Sequence, residues 1–302
     1  MSVDVWKLTA FAPKPVVQAA LLAQEDAEDW PWDVTLTGFE LADDQPDDWR
    51  LDAYFNRKPT AADKRMVAAL FDGDPPRLTA ERLPDSDWLV ESQRGLDPIV
   101  ASPFHIRTPD HPPRPGAIDF AIPASQAFGT GHHATTAGCL AMLAHMKARG
   151  VVVRNLADIG TGTGLLGFAA LALWPRAMAT ASDIDPVCGP VVETNARANG
   201  VPLGAGRGEV TMAIADGMAD PLLQMRGPYD LLIANILAGP LVELAADFSA
   251  AVAPGGHLLL AGLLDTQEPA VRRACTRAGF RLAGRMVNGD WSILWLRRRR
   301  AR

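Results

Sequence analysis

The segment Leu156–Gly167, LADIGTGTGLLG, combines an acidic residue with closely spaced glycines. Glycine lets the backbone approach a ligand closely, and the N-terminus of a following helix offers unpaired N–H groups to an anion. Asp158 comes just before the glycines, where its charge suits a ligand that carries an ammonium group. We therefore predict that Asp158, Gly160, Gly162 and Gly164 bind a cofactor. The alternative is a tight strand-to-helix turn without a ligand.

The same loop fits two kinds of cofactor. Gly162–Gly167 matches the pattern G-x-G-x-x-G, and Asp183 and Asp185 follow at about the distance at which dinucleotide sites carry an acid for the ribose. A nicotinamide dinucleotide is therefore a contender. S-adenosylmethionine (SAM) has an ammonium group beside its carboxylate and its sulfonium, and Asp158 favours SAM.

Two further strands are predicted to end in acidic residues. Asp183, in ASDIDP, is placed to accept hydrogen bonds from both ribose hydroxyls, whereas Asp185 is expected to cap a helix that opens at Pro186. Asp216, in IADGM, suits the amino group of an adenine, and the alternative for this residue is a helix cap. We predict that Asp183 and Asp216 bind the cofactor.

An amide follows an apolar strand in the segment Tyr229–Leu241, YDLLIANILAGPL. Methyl transfer from a sulfonium needs an acceptor lone pair in line with the S–CH₃ bond. The side-chain oxygen of Asn235 could hold the N–H groups of an amine so that its lone pair faces the methyl group. Such positioning can supply several kcal/mol, and we predict that Asn235 is catalytic. The alternative is an amide that closes a turn.

The loop Ala127–Thr136, AFGTGHHATT, carries two histidines and two threonines. We predict that it forms a lid over the cofactor or a wall of the acceptor site, with His132 or His133 relaying a proton. No metal is expected, because adjacent histidines rarely converge on one ion and no acidic or cysteine partner has ligand spacing. The alternative is that Thr135 or Thr136 only caps the next helix.

The acceptor amine must be neutral to attack. A free α-amine has a pKa of about 8, so deprotonation at pH 7 costs roughly 1.4 kcal/mol. A lysine side chain, with a pKa of about 10.4, costs nearer 4.6 kcal/mol. The α-amine is therefore the easier target.

Three regions are predicted to position these residues. Residues 1–95 read as β-α-β-β-α-β, the split βαβ order of a ferredoxin-like α+β domain, and serve recognition. Residues 96–116 are rich in proline and are predicted to form a semi-rigid linker, with one strand around Ile99. Residues 117–302 begin with a strand near Ala117–Ile122, alternate strands with helices and close on a hairpin through NGD. This is the Rossmann-like α/β layout of the seven-stranded methyltransferases.

The composition is that of a soluble globular protein, with 302 residues, 48% hydrophobic and 21% charged. The net charge of −6 gives no global pull toward nucleic acid. The arginine run Arg297–Arg302 is interpreted as solvated, and the alternative is a contact with ribosomal RNA or another anion. Three cysteines without disulfide or metal spacing indicate a reducing compartment. Because the sequence has neither a signal peptide nor a membrane-length apolar run, we expect a cytoplasmic monomer without membrane contact.

With these motifs assembled, the chain resembles the PrmA family, the methyltransferases of a large-subunit ribosomal protein. The matches are FGTGHHATT, DIGTGTG, DIDP, NILAGPL and GDWSILWLRR. FGTGHHATT and NILAGPL are much more specific to the family than the glycine loop. The resemblance covers the chain from Ala117 onward. It implies SAM-dependent methylation of α-amino and lysine amino groups with trimethylated products. It also implies cofactor contacts at Thr136, Gly160, Asp183 and Asn235. The N-terminal domain would recognise the ribosomal protein, and motion through the linker would present different amines.

Three alternatives remain open at this point. One is an NAD-linked oxidoreductase, and another is a non-catalytic ribosome-assembly protein that retains the fold. The third is a SAM-dependent methyltransferase that acts on another protein or on RNA. The net negative charge and the lack of interleaved aromatic and basic residues argue against RNA as the substrate. We therefore expect a ribosomal protein as partner and no direct contact with nucleic acid.

Overall fold

The structure is a computed structural model. It describes residues 6–25, 27, 30–31, 34–41, 48–82, 98–123 and 133–300. The chain divides into two compact units, of which the first holds the described residues up to 82 and the second holds those from 98 onward.

The first unit is a four-stranded antiparallel sheet with two helices. Its strands are β1 (Trp6–Pro13), β2 (Val34–Glu40), β3 (Asp48–Phe55) and β4 (Thr79–Arg82), and its helices are α1 (Lys14–Glu25) and α2 (Ala61–Ala68). The strand order is β2-β3-β1-β4. Leu8, Leu51 and Phe55 of the sheet are buried with Val17 and Val67 of the helices. The predicted ferredoxin-like order is confirmed.

Three short strands open the second unit, and they correct the predicted linker at 96–116. Strands β5 (Ile99–Ala101), β6 (Phe104–Arg107) and β7 (Ile118–Ala121) form a sheet of their own. Ile99, Phe104 and Ile106 are buried in the main core of this unit, which a linker would not provide. Pro98 precedes β5, and the other prolines of the segment stand in the connections between the strands, where no ladder hydrogen bond is lost. The strand predicted near Ala117–Ile122 is β7, and it pairs with β6 rather than with the large sheet.

The large sheet has seven strands in the order β10-β9-β8-β11-β12-β14-β13. They are β8 (Asn155–Ile159), β9 (Met178–Asp183), β10 (Val210–Ile214), β11 (Tyr229–Asn235), β12 (Val252–Leu264), β13 (Phe280–Asn288) and β14 (Trp291–Arg298). Strands β8 to β12 are parallel, and β14 is antiparallel to both of its neighbours. This arrangement confirms the predicted seven-stranded layout with a closing hairpin.

Seven helices accompany these strands among the described residues of the second unit. They are α3 (His133–Ala148), α4 (Leu165–Leu173), α5 (Cys188–Ala198), α6 (Pro221–Arg226), α7 (Ala238–Glu243), α8 (Ala245–Ala251) and α9 (Glu268–Arg277). Helices α3 to α5 share a core with Ile233, whereas α7 to α9 share a second core with Leu232. Because side chains alternate along a strand, Asn235 at the end of β11 falls on the Ile233 side. Within the part of the chain that the structure describes, no helix has both the length and the apolar character needed to cross a bilayer.

Candidate active site

The glycine loop joins β8 to α4 at the carboxyl edge of the large sheet. Gly160, Gly162 and Gly164 have φ values of +67°, +56° and +85°, a region that other residues rarely adopt. A Cβ on Gly160 would lie 2.2 Å from Cγ2 of Ile236, and a Cβ on Gly164 would lie 2.5 Å from the ring of Phe168. The first and third glycines are thus required by the way the chain packs on itself, whether or not a ligand is bound.

Asp158 lies beneath this loop and is 1% exposed. Its Oδ2 accepts hydrogen bonds from Oγ1 of Thr161 at 2.7 Å and from the backbone N–H of Gly167 at 2.8 Å. The second bond satisfies an N–H in the first turn of α4. Burial raises the pKa of Asp158 to about 6, although the two hydrogen bonds oppose this shift. Sequence reasoning missed Thr161, whose role depends on contact geometry.

Only one oxygen of the Asp158 carboxylate is used by these bonds. Among the described residues, no hydrogen bond reaches Oδ1. The carboxylate therefore holds the loop with Oδ2 and keeps Oδ1 as an acceptor for a further group.

Asp183 ends β9 beside the loop. Its Oδ2 accepts the backbone N–H of Gly162 at 2.8 Å, and its Oδ1 accepts the N–H of Asp185 at 3.1 Å. A carboxylate has about four lone-pair sites, so Asp183 can still accept two hydrogen bonds from a ligand. The predicted capping by Asp185 is not observed: the helix α5 begins at Cys188 rather than at Pro186, and its N-cap Val187 has no side-chain cap bond. Oδ1 of Asp185 instead accepts the N–H of Val187 at 2.9 Å in the turn before the helix.

The alternatives in which Asp216, or Thr135 or Thr136, only caps a helix are wrong. Asp216 is exposed after β10, and the next helix, α6, is capped instead by Asp220, whose Oδ1 accepts the N–H of Leu222 at 2.8 Å. Helix α3 begins at His133, so Thr135 and Thr136 lie inside it and neither is the N-cap. Thr136 is 3% exposed.

The two predicted histidines are not placed by the structure. His132 lies outside the described residues, and only the backbone of His133 is described. Their assignment as proton relays stays a prediction.

Asn235 ends β11 at the same edge of the sheet. Its neighbour Ala234 pairs with Ile159, the last residue of β8, and Asn235 pairs with Ala261 of β12. The Oδ1 atom of Asn235 is buried and accepts no hydrogen bond from the described residues. A buried acceptor without a donor costs about 1–3 kcal/mol. No described residue supplies the donor, so this oxygen is open to a hydrogen bond from a ligand or from a residue outside the described ranges.

The backbone after Asn235 passes between two glycines. Gly160 contacts the side chain of Ile236, and Gly262 of β12 lies against its backbone. Gly262 has a φ of +83°, and a Cβ there would come within 2.3 Å of the carbonyl oxygen of Ile236. These two glycines fix the course of the chain that follows the amide. Sequence reasoning missed Gly262, although a glycine within the apolar run LLLAGLL signals a close backbone approach.

Helix α5 braces the loop from the other side. Nδ2 of Asn195 donates to the carbonyl oxygen of Thr163 at 3.0 Å. One turn later, the amide of Asn199 makes two bonds to the backbone of Ala121 in β7, at 2.7 and 2.9 Å. The sequence analysis did not predict a role for Asn195 or Asn199. The pattern that could have indicated one is their spacing of four residues at the end of a helix, which places both amides on the same helix face.

The N–H groups of Thr161, Gly162 and Gly164 in the glycine loop are already bonded within the chain. The site therefore offers two features at one edge of a parallel sheet: two carboxylates with free lone pairs, and an amide oxygen that has no partner among the described residues. Such a set suits a ligand that carries hydroxyl and ammonium groups, at the carboxyl ends of strands where open α/β sheets bind ligands. Together with the strand order and the antiparallel hairpin, it defines a protein of the seven-stranded methyltransferase class.

Comparison with known proteins identifies the family. The family model for ribosomal protein L11 methyltransferase (PrmA) matches residues 17–299. The chain is 39% identical over 260 residues to the ribosomal protein L11 methyltransferase of Rhizobium meliloti, covering 85% of this chain and 87% of the relative. It is 38% identical over 215 residues to that of Thermus thermophilus, covering 71% and 78%. The chain belongs to the ribosomal protein L11 methyltransferase family.

A solved structure agrees with this result. The ribosomal protein L11 methylase of Lactobacillus delbrueckii has a TM-score of 0.56 and 28% identity, covering 67% of this chain and 98% of that one. Membership in this family favours methyl transfer over the nicotinamide alternative that the glycine pattern left open.

Proposed function

We propose that this protein transfers methyl groups from SAM to α-amino and lysine amino groups of a large-subunit ribosomal protein. The observation that carries the proposal is the unpaired, buried Oδ1 of Asn235 beside the glycine loop. The names of the relatives support a ribosomal protein, the counterpart of L11, as the substrate.

SAM supplies an electrophilic methyl group on a sulfonium. We assign the hydroxyls of its ribose to the free lone pairs of Asp183 and its ammonium group to Oδ1 of Asp158. Asp216, exposed at the end of β10, is assigned to the adenine amino group, and Thr136 is assigned to the wall of the site. The orientation of Asp183 supports its role, because the bond from Gly162 holds the carboxylate at the loop.

Asn235 is assigned to the acceptor amine. Its Oδ1 accepts an N–H of the neutral amine, so that the nitrogen lone pair is directed at the methyl group. Asn235 also lies next to the loop that is assigned to SAM, so we assign it a secondary contact to the cofactor beside its main role at the acceptor. An α-amine is neutral more readily than a lysine side chain, by about 3 kcal/mol at pH 7. His132 and His133 remain the candidates that take up the proton.

The first unit is proposed to recognise the substrate protein. Its sheet and helices have a core of their own, and its residues are not among those assigned to SAM or to the acceptor amine. This division assigns recognition to residues 1–95 and chemistry to the second unit.

The direct test is to incubate the protein with radiolabelled SAM and purified ribosomal protein L11. Label should appear on L11, and mass spectrometry should locate it on the N-terminal amine and on lysine side chains. Calorimetry should show heat of binding with SAM and none with NAD. SAM binding without label on L11 would contradict the assigned substrate, and NAD binding without SAM binding would contradict the cofactor as well.

A further inference from the structure

Charge is distributed unevenly along the chain. The protein has a net charge of −6, but residues 269–302 hold ten arginines and a single acidic residue, Asp290. A strong asymmetry of this kind indicates an interaction with a polyanion rather than a uniformly solvated surface. The structure shows that the asymmetry is spatial as well as sequential.

Arginines collect at the edge of the large sheet where its parallel strands begin. Arg154, Arg176 and Arg207 precede β8, β9 and β10. Strand β13 begins at this edge and β14 ends there, since Arg281 pairs with Arg297 and Arg297 pairs with His257 near the start of β12. We call the following set the arginine edge: Arg154, Arg176, Arg207, Arg277, Arg281 and Arg299.

The side chains of the arginine edge are free. All six residues are exposed, and among the described residues their side chains make no hydrogen bond or ion pair. Two carboxylates lie nearby, but both are held by backbone N–H groups: Asp230 accepts from Arg154 and Asn155, and Glu209 accepts from Gly206. These two acids can offset at most two of the six positive charges, so the edge keeps a net positive charge.

Acidic residues collect at the opposite edge, where the candidate active site lies. The exposed or half-buried acids that follow the strands or lie in the hairpin turn there are Asp183, Asp185, Asp216, Asp265 and Asp290. Like charges within a Debye length, about 8–10 Å, repel one another. Two of these acids, Asp183 and Asp216, are assigned to the cofactor, whereas the side chains of the arginine edge have no partner among the described residues.

We propose that the arginine edge docks the protein on RNA, through phosphate groups and without reading base sequence. This proposal replaces the expectation of no contact with nucleic acid, which was based on the net charge of the whole chain rather than on the charge of one edge. Guanidinium groups bind phosphate oxygens in a bidentate manner, and all six residues of the arginine edge carry this group. Lys147, exposed in the last turn of α3 before β8, adds a further cation near the edge. Six intervals between seven strands span about 29 Å, which is long enough for several phosphates of one RNA strand. No aromatic residue belongs to the edge, so base stacking is not part of the proposed contact.

RNA is favoured over other polyanions because the proposed substrate is a ribosomal protein, and in this respect the inference rests on the proposed function. Bound in this way, the second unit would face RNA with its arginine edge and turn its acidic, catalytic edge away. A cationic amine of the substrate would meet the acidic edge, which RNA phosphates avoid.

The test measures binding of a fluorescein-labelled oligouridine by anisotropy, over a series of salt concentrations. One variant of the full chain carries Arg154→Gln, Arg176→Gln and Arg207→Gln. A control variant loses the same charge in the first unit, through Lys64→Gln, Arg65→Gln and Arg77→Gln, which are all exposed. Losing three phosphate contacts should reduce the slope of log affinity against log salt concentration by roughly 2. The control should keep the wild-type slope.

Equal slopes in the two variants would overturn the proposal. It would also be overturned if polyaspartate, or vesicles containing phosphatidylserine, bound as tightly as RNA and lost as much affinity in the edge variant. Thermal melting should show both variants folded as the wild type. Methylation of free L11 should be unchanged by the edge substitutions, and its absence in the wild type would refute the proposed function without changing the RNA result.

Discussion

At the scale of single residues, Asn235 is the most informative residue of the candidate active site, because its Oδ1 is buried and has no donor among the described residues. Asn235→Ala should lower kcat by at least 100-fold, since the acceptor amine loses the group that aims its lone pair, while the dissociation constant for SAM changes less than threefold. Single-turnover kinetics and calorimetry separate the two quantities.

The companion substitution at this position is Asn235→Asp, which keeps an oxygen acceptor and should retain more activity than alanine. The melting temperature without ligand should not fall in the alanine variant, because an unsatisfied acceptor has been removed. An equal loss of turnover and SAM affinity would contradict the positioning role.

We expect the ionisation of Asp158 to make both the stability of the protein and its affinity for SAM depend on pH. Its pKa in the folded protein is raised to about 6 by burial, above the ordinary value of 3.8. The folded state therefore binds this proton more tightly than the unfolded state does. The resulting stability is fully present below about pH 4 and is lost as the pH rises through about 6, a difference of roughly 3 kcal/mol. Asp158→Asn should remove this component from the free energy of unfolding, measured in urea from pH 4 to pH 8.

The same variant should bind SAM more weakly. The asparagine oxygen can still accept the bonds from Thr161 and Gly167, so the loop is kept, but the NH₂ group replaces the oxygen assigned to the ammonium group of SAM. In the wild type, SAM affinity should fall as the pH drops below about 6. Unchanged affinity in the variant at pH 8 would remove Asp158 from the cofactor site while leaving its structural role intact.

At the scale of elements, Gly262 of β12 controls where β11 delivers Asn235. Gly262→Ala would press a methyl group against the backbone of Ile236, which cannot yield as a side chain can. We expect turnover to fall at least tenfold and SAM affinity to fall much less. Gly289→Ala is the matched control, because Gly289 also has a positive φ, +59°, but has no atom within 4 Å of its added Cβ.

Both substitutions should cost about 1–2 kcal/mol from the strained φ alone. Urea unfolding measures that shared cost, and steady-state kinetics measures the difference between the variants. If Gly289→Ala slowed turnover as much as Gly262→Ala, backbone strain rather than displacement of Ile236 would be the cause.

The elements show what the sequence could and could not predict. Strand–helix alternation predicted the parallel sheet because the period of apolar residues depends on local geometry alone. The prediction of a linker at 96–116 was wrong because it was based on the proline content. The short apolar runs around Ile99 and Phe104 pack into a core formed by residues that are distant in the sequence. Asp183 could be found from its place after a strand. Local patterns mark Gly262 and Asn195 as unusual, but the groups that they contact, the backbone of Ile236 and the carbonyl oxygen of Thr163, lie far away in the sequence and cannot be predicted from such patterns.

At the scale of the whole molecule, chemistry and recognition are assigned to different units. The residues assigned to SAM and to the acceptor amine all come from the second unit, whose two cores are formed by its own strands and helices. The first unit has a separate core and contributes none of those residues. Separate cores imply that the second unit can hold its structure without the first.

A variant lacking residues 1–95 should therefore keep its affinity for SAM and lose methylation of ribosomal protein L11. The physical reason is that contacts made by the first unit are proposed to hold the substrate at an effective concentration that free diffusion does not reach. Calorimetry measures SAM binding, and label transfer at increasing L11 concentration measures the substrate dependence. Partial recovery of the rate at high L11 concentration would agree with lost recognition. A full rate at low L11 concentration would show that the first unit is not the recognition domain, and loss of SAM binding would show that the second unit does not fold alone.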